Sequence, residues 1–231
     1  MNDNNNVIIE KDDKIRLIVI GDHNTGKTSF INRICEDKWD ENIQSTINTQ
    51  INYYYYENKE TNKKYCFEIN DLGGQDYNIV LNKVIFNKIV GIIFSCSEDV
   101  KDSLDHIKEW NSSSESIDER LKNAPKFIIM NKTDLGIFEN DKIKEIEEEI
   151  KPKKIYGVCA KDNGIYEIID NKNTDKNFDD LKKDLYDGTK DCVKNIEEID
   201  EKNIDIGLKN FSNQSSFSEK DKDNNKGKCP C

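Results

Sequence analysis

Ile15-Arg-Leu-Ile-Val-Ile20 runs directly into Gly21-Asp-His-Asn-Thr-Gly26-Lys27-Thr28, and the reading of this stretch decides the fold. A near-continuous apolar run predicts a strand buried on both faces, as strands in helix-covered parallel sheets are. The segment after it fits G-x-x-x-x-G-K-[ST], and a helical stretch follows over about 27–36. Strand, glycine-bounded loop and helix in that order are the context a phosphate-binding loop requires. Gly21 and Gly26 allow the backbone to turn its amides inward around phosphate oxygens, and the helix N-terminus adds partial positive charge. Lys27 has the reach for the β- and γ-phosphates, and the Thr28 hydroxyl suits Mg2+. The candidate phosphate site is therefore Gly21, Asp22, His23, Asn24, Thr25, Gly26, Lys27, Thr28 and Ser29.

Outward from this loop, further strands are expected over Ile51–Tyr56, Tyr65–Ile69, Ile89–Ser95, Phe127–Met130 and Lys154–Val158. Helices are expected over about 101–110, 141–150 and 178–197, the last with Gly188 in its middle, and 111–124 reads as an extended loop. Strands alternating with helices imply an α/β fold, a mostly parallel six-stranded sheet with helices on both faces. The hairpin Ile51–Ile69 supplies its one antiparallel edge strand. This domain is expected over 14–198, after a disordered arm (1–13) and before a flexible tail (199–231). The segment at about 162–177 has no clear place in that plan and reads as a low-complexity insertion, with a partner site as the alternative. Alternation puts two rings of Tyr53–Tyr56 on each face of a strand, Cys35, Cys66, Cys96 and Cys192 fall at core positions, and His106 stands on a polar helix facing solvent.

Composition narrows the function. The chain has 231 residues and a net charge of −11, from 35 Lys and Arg against 46 Asp and Glu. That balance argues against a general binder of nucleic acid or anionic lipid, which need a positive field. Seven dispersed cysteines form no disulfide framework and no internal C-x₂₋₄-C zinc pattern, which implies a reducing compartment. The longest apolar runs, such as Ile89–Phe94, fall short of a bilayer span, and the N-terminus carries no apolar signal region.

The base-reading residues come next. Asn131-Lys132-Thr133-Asp134 follows the strand Phe127–Met130, at the carboxyl edge of the sheet where ligands bind in such folds. A carboxylate at Asp134 accepts from both N1–H and the 2-amino group of guanine, donors that adenine lacks. This disfavours an ATP-dependent kinase. After the final strand, Cys159-Ala160-Lys161 completes the set, with the Ala160 amide placed for guanine O6.

With these motifs in order, the chain resembles the small GTPases of the Ras superfamily, and Rab proteins most. The resemblance implies the P-loop GTPase fold and a GTP/GDP switch in vesicle trafficking that hydrolyses Mg-GTP slowly. Ser45-Thr46-Ile47 is similar to switch I, which implies that Thr46 closes on Mg2+ and the γ-phosphate, with Trp39 edge-on against guanine. Asp71-Leu72-Gly73-Gly74-Gln75 is similar to switch II. By that match Asp71 reaches Mg2+ through water, the Gly74 amide touches the γ-phosphate, and Gln75 is the catalytic residue that orients the attacking water. The Asp-Leu-Gly-Gly-Gln order is nearer to Arf-type proteins, His23 replaces the family's small residue beside the γ-phosphate, and Asn70 stands where Rab proteins carry Trp. These departures keep open a second reading, a guanine-nucleotide-binding scaffold without useful hydrolysis. The terminal Cys229-Pro230-Cys231 resembles the doubly prenylated C-x-C ending of Rab proteins. That likeness implies lipid anchoring on the cytoplasmic face of an internal membrane, cycling with cytosol. It also implies a prenyl-binding carrier, an exchange factor, a GTPase-activating protein and effectors.

Overall fold

In chain order the strands are β1 (Lys14–Ile20), β2 (Gln50–Asn58), β3 (Lys63–Asp71), β4 (Gly91–Ser97), β5 (Lys126–Asn131), β6 (Lys154–Cys159), β7 (Gly164–Ile169) and β8 (Lys172–Asp175). The helices are α1 (Lys27–Glu36), α2 (His106–Ile117), α3 (Asn140–Ile150) and α4 (Phe178–Val193). The computed structural model describes residues 14–46, 49–73, 86, 88–169 and 172–193, all within the unit Met1–Ile196. One sheet runs β2-β3-β1-β4-β5-β6-β7-β8. The inner pairs β3·β1, β1·β4, β4·β5 and β5·β6 are parallel, and β2·β3, β6·β7 and β7·β8 are antiparallel.

The continuous apolar run of β1 is explained by two cores, one on each face of the sheet. Ile18 and Ile20 join Phe94, Ile107, Trp110 and Ile146 on the side of α2 and α3. Leu17 and Val19 join Phe30, Ile31, Leu181 and Leu185 on the side of α1 and α4. In β2 the pleat sorts the tyrosines as expected: Tyr54 is buried and stacks on Phe67 with centroids 4.6 Å apart, and Tyr56 meets Tyr186 at 5.0 Å, while Tyr53 and Tyr55 are exposed. Cys96 is buried, and Cys35, Cys66 and Cys192 are half-buried free thiols. Among the described residues no helix is long and apolar enough to cross a membrane.

The class of fold is as expected, and the strand count is not. The sheet has eight strands among the described residues, because the segment read as a low-complexity insertion folds into the hairpin β7–β8. This hairpin pairs the outer edge of β6, which would otherwise expose a row of backbone donors and acceptors. β8 (KNTD) is exposed throughout, so no apolar alternation marks it. The loop expected over 111–124 is instead helical, with α2 running to Ile117 and a 3-10 turn over Glu119–Asn123. Its serines cope with the helix by bonding back: Ser112, Ser114 and Ser116 donate to the carbonyls of Lys108, Asn111 and Ser113.

Gly188 in the middle of α4 has a packing reason. A Cβ there would lie 2.7 Å from Cζ of the fully buried Phe127, so the missing side chain is what lets α4 approach β5. Alanine has the better helix propensity by about 1 kcal/mol, yet overpacking a filled core costs about 1–3 kcal/mol. Gly188→Ala is therefore expected to destabilise the domain by about 1 kcal/mol, read as a lower denaturant midpoint with an unchanged m-value; a stabilised variant would refute the close approach.

Candidate functional site

The carboxyl ends of β1, β5 and β6 and the start of α1 surround a cleft of about 340 Å³. His23, Asn24, Gly26, Lys27, Thr28, Ser29, Trp39, Thr46, Asn131, Lys132, Asp134, Ala160 and Lys161 all line it. Gly21, Asp22, Thr25, Asp71 and Cys159 stand behind this lining, bonded or packed to its members as described below. Gly74, Gln75, Cys229 and Cys231 lie outside the described residues.

The loop between β1 and α1 is pinned from the rear. A Cβ on Gly21 would lie 2.1 Å from the Ser95 carbonyl oxygen, so only glycine lets the loop cross β4. Gly26 has φ +84° and precedes α1 without any side-chain cap, and the first turn of α1 holds no acidic residue. The first amides of this helix are thus left for an anion. Lys27 Nζ donates to the carbonyls of Gly21 (2.9 Å) and Asp22 (2.6 Å). Burial pulls the Lys27 ammonium down to about 8, against the pull of Asp71 and Asp22. A phosphate in the cleft would restore it.

The three candidate metal residues converge. Thr28 donates to Asp71 Oδ2 at 2.7 Å, and its oxygen lies 2.7 Å from the Thr46 hydroxyl. With its one proton committed to Asp71, Thr28 accepts from Thr46. Burial raises the Asp71 carboxyl, opposed by the Thr28 bond and by Lys27, and Asp71 Oδ1 is buried without a partner. Two hydroxyls beside an orphaned carboxylate oxygen fit a small oxygen-seeking divalent cation such as Mg2+.

At the far end of the cleft, Asn131 Nδ2 donates to the Thr25 carbonyl (2.8 Å) and to Ser95 Oγ (2.9 Å), tying β5 to the phosphate loop. Asp134 is exposed, and the Cys159 thiol donates to its Oδ1 at 3.3 Å. Ala160 is held by Arg33 of α1, whose Nε and Nη2 donate to its carbonyl at 2.9 and 2.7 Å. Trp39 and Leu135 flank the same cleft with 37% and 62% of their surface exposed. His23 is exposed on the lining.

Sequence reasoning missed Arg33 and Leu135, and it placed His106 in solvent. The structure corrects the last point: His106 Nδ1 lies 2.6 Å from Asp22 Oδ2, and Trp110 Nε1 donates to Asp22 Oδ1 at 2.8 Å. The i, i+4 spacing of His106 and Trp110, with an acidic residue inside a phosphate loop, was the available signal. Nothing in the sequence marked Arg33, whose partner is a backbone carbonyl more than a hundred residues away.

A mixed sheet with an amide-lined anion cleft defines a P-loop nucleotide-binding domain. Residues 16–134, just over half of the chain, match the family model described as "Ras of Complex, Roc, domain of DAPkinase", and the chain belongs to this Ras-like GTPase family. Within it the chain is a divergent Rab-like small GTPase. It is 27% identical over 146 residues to Ras-related protein Rab-34 of Mus musculus, covering 59% of this chain and 53% of the relative. It is 29% identical over 162 residues to Ras-related protein Rab-1 of Theileria parva, covering 68% and 71%. Over 132 residues it is 26% identical to EF-hand calcium-binding domain-containing protein 4B of Homo sapiens, 57% of this chain and 17% of that protein. The chain thus spans about half the length of the Rab-34 relatives it matches.

The two ends of the cleft respond differently to truncation. Asn131→Ala leaves the buried Thr25 carbonyl and Ser95 hydroxyl short of a donor and is expected to cost about 2 kcal/mol of unfolding free energy. Asp134→Ala, at an exposed position, is expected to change stability by no more than about 0.5 kcal/mol. Thermal or urea unfolding of the ligand-free variants checks both, and equal losses would contradict the assigned network.

Proposed function

We propose that the domain over 14–198 is a guanine-nucleotide switch that binds Mg-GTP and hydrolyses it slowly to GDP and phosphate. The observation that carries this reading is the cleft itself, which brings the uncapped start of α1, Lys27 and the base-reading Asp134 to one site. The steps assigned to the protein are few. The loop amides and Lys27 hold the phosphates, Asp134 accepts the two guanine donors, and the Ala160 amide faces O6. A divalent cation held by Thr28, Thr46 and, through water, Asp71 would neutralise developing charge on the phosphate oxygens. Gln75 is assigned to the attacking water and Gly74 to the γ-phosphate by family resemblance. Membership of the family supports hydrolysis at the level of the class. The Rab relatives support a role in vesicle trafficking, with effectors, an exchange factor and a GTPase-activating protein as partners. Prenylation of Cys229 and Cys231, a prenyl-binding carrier and the cytoplasmic face of an internal membrane belong to the same proposal.

His23 favours a second reading, a guanine-nucleotide-binding scaffold without useful turnover. Its ring stands exposed on the cleft lining, where the family resemblance implies a small residue.

One measurement tests the guanine site that both readings share, and a second tests the turnover that divides them. Purified chain is expected to bind GDP and GTP far more tightly than ADP and ATP, and Asp134→Asn to weaken GDP roughly tenfold or more by removing a charge-assisted acceptor. Equal binding of adenine and guanine nucleotides would sink the assignment. In single-turnover phosphate release, His23→Ser is expected to raise the hydrolysis rate; an unchanged rate would remove the steric role of the ring.

A further inference from the structure

Asp22 is out of place by charge. A carboxylate inside a loop built for phosphates repels the ligand, so its presence needs another reason. The structure supplies one. The side chain does not line the cleft, and both of its oxygens are engaged from α2, Oδ1 by Trp110 Nε1 (2.8 Å) and Oδ2 by His106 Nδ1 (2.6 Å). The Asp22 carbonyl meanwhile accepts from Lys27 Nζ (2.6 Å) and from Thr25 Oγ1 (3.0 Å). One residue therefore joins the α2 pincer to the lysine that meets the phosphates. The two jaws differ: Trp110 is buried in the core, while His106 lies at the rim with 38% of its side chain exposed.

We propose that His106 and Trp110 are positioning residues for the phosphate loop, gripping Asp22 so that the release of bound nucleotide is coupled to α2. This rests on the guanine-nucleotide reading above. The Trp110 bond is independent of pH. The His106 bond is not, since its full strength needs an imidazolium facing a carboxylate. The bond to Asp22 holds the His106 pKa above its ordinary value, against partial burial, and among the described residues the charged groups that act on the ring, Asp22, Glu109 and Asp102, are acidic. The ion pair is then complete below about pH 6.5, the ordinary histidine value, and is lost as pH rises through the raised one. Release should be slow in mild acid and faster above that step.

The test uses the full chain loaded with fluorescent GDP and Mg2+, with release chased by unlabelled GDP from about pH 6 to about pH 8.5, a range that spans the histidine titration. The wild-type rate is expected to rise about threefold through the step, a modest factor because the pair is partly screened by solvent. His106→Gln should release at the faster rate already in mild acid and lack the step. Trp110→Phe, which keeps the ring in the core and removes the donor, should be faster at every pH and keep the step. Independently, NMR titration of the His106 ring should show a raised pKa that returns toward the ordinary value in Asp22→Asn, whether or not nucleotide is bound. A His106→Gln profile that superimposes on wild type, or a ring that titrates alike in wild type and Asp22→Asn, would overturn the proposal. A chain that retains no guanine nucleotide would overturn the functional reading, while the ring titration still decides the grip.

Discussion

A loop that holds an anion through its own amides must leave those amides unpaired, so something other than its own backbone bonds must fix it. The loop is held from behind, through carbonyls and one side chain. Asn131 takes the Thr25 carbonyl, Lys27 takes those of Gly21 and Asp22, and α2 takes the Asp22 carboxylate. Gly21 packs directly on the Ser95 backbone. These acceptors are satisfied without drawing on the first amides of α1, which have no side-chain cap among the described residues.

The same constraint explains the division of labour along the sheet. The inner parallel strands end at one edge and deliver the loops, so their interiors have only to be apolar. The antiparallel pieces lie at the two outer edges. β2 presents Tyr53 and Tyr55 to solvent on one face and packs Tyr54 and Tyr56 on the other. At the opposite edge, β7 buries Ile165 and Ile168 and anchors Glu167 between Lys154 and Lys176. That buried carboxylate is paired on both oxygens, which is the condition for holding a charge there.

What the sequence revealed and what it hid divide along physical lines. The strand–loop–helix at Gly21–Thr28 was legible because a candidate helix-start anion site restricts residue type at fixed offsets, and the place of Asn131, Asp134 and Ala160 on the same cleft because they follow buried apolar strands. Thr46 and Asp71 needed family resemblance, since one Thr and one Asp carry no pattern of their own. The hairpin β7–β8 was hidden because its outer strand is wholly exposed and its polar letters match those of a tail. The continuation of α2 was hidden by serines whose hydroxyls bond back to the helix. Arg33 depends on a partner far away in the chain that spacing does not reveal, whereas the spacing of His106 and Trp110 was a signal without a named partner.

The electrostatics of the cleft bind its two ligands to one another. Burial loosens the proton of Lys27 and tightens that of Asp71, so each group alone is drawn toward its neutral form. Their mutual attraction opposes this shift without cancelling it. A polyphosphate favours the charged lysine, and a divalent cation favours the charged aspartate. Each ligand would therefore find the site better prepared when the other is present, and linkage requires that the help be mutual. A net charge of −11 does not stand against a polyanion here, because the field at the cleft is local: one desolvated ammonium and one uncapped helix start, to which a cation beside the buried carboxylate would add.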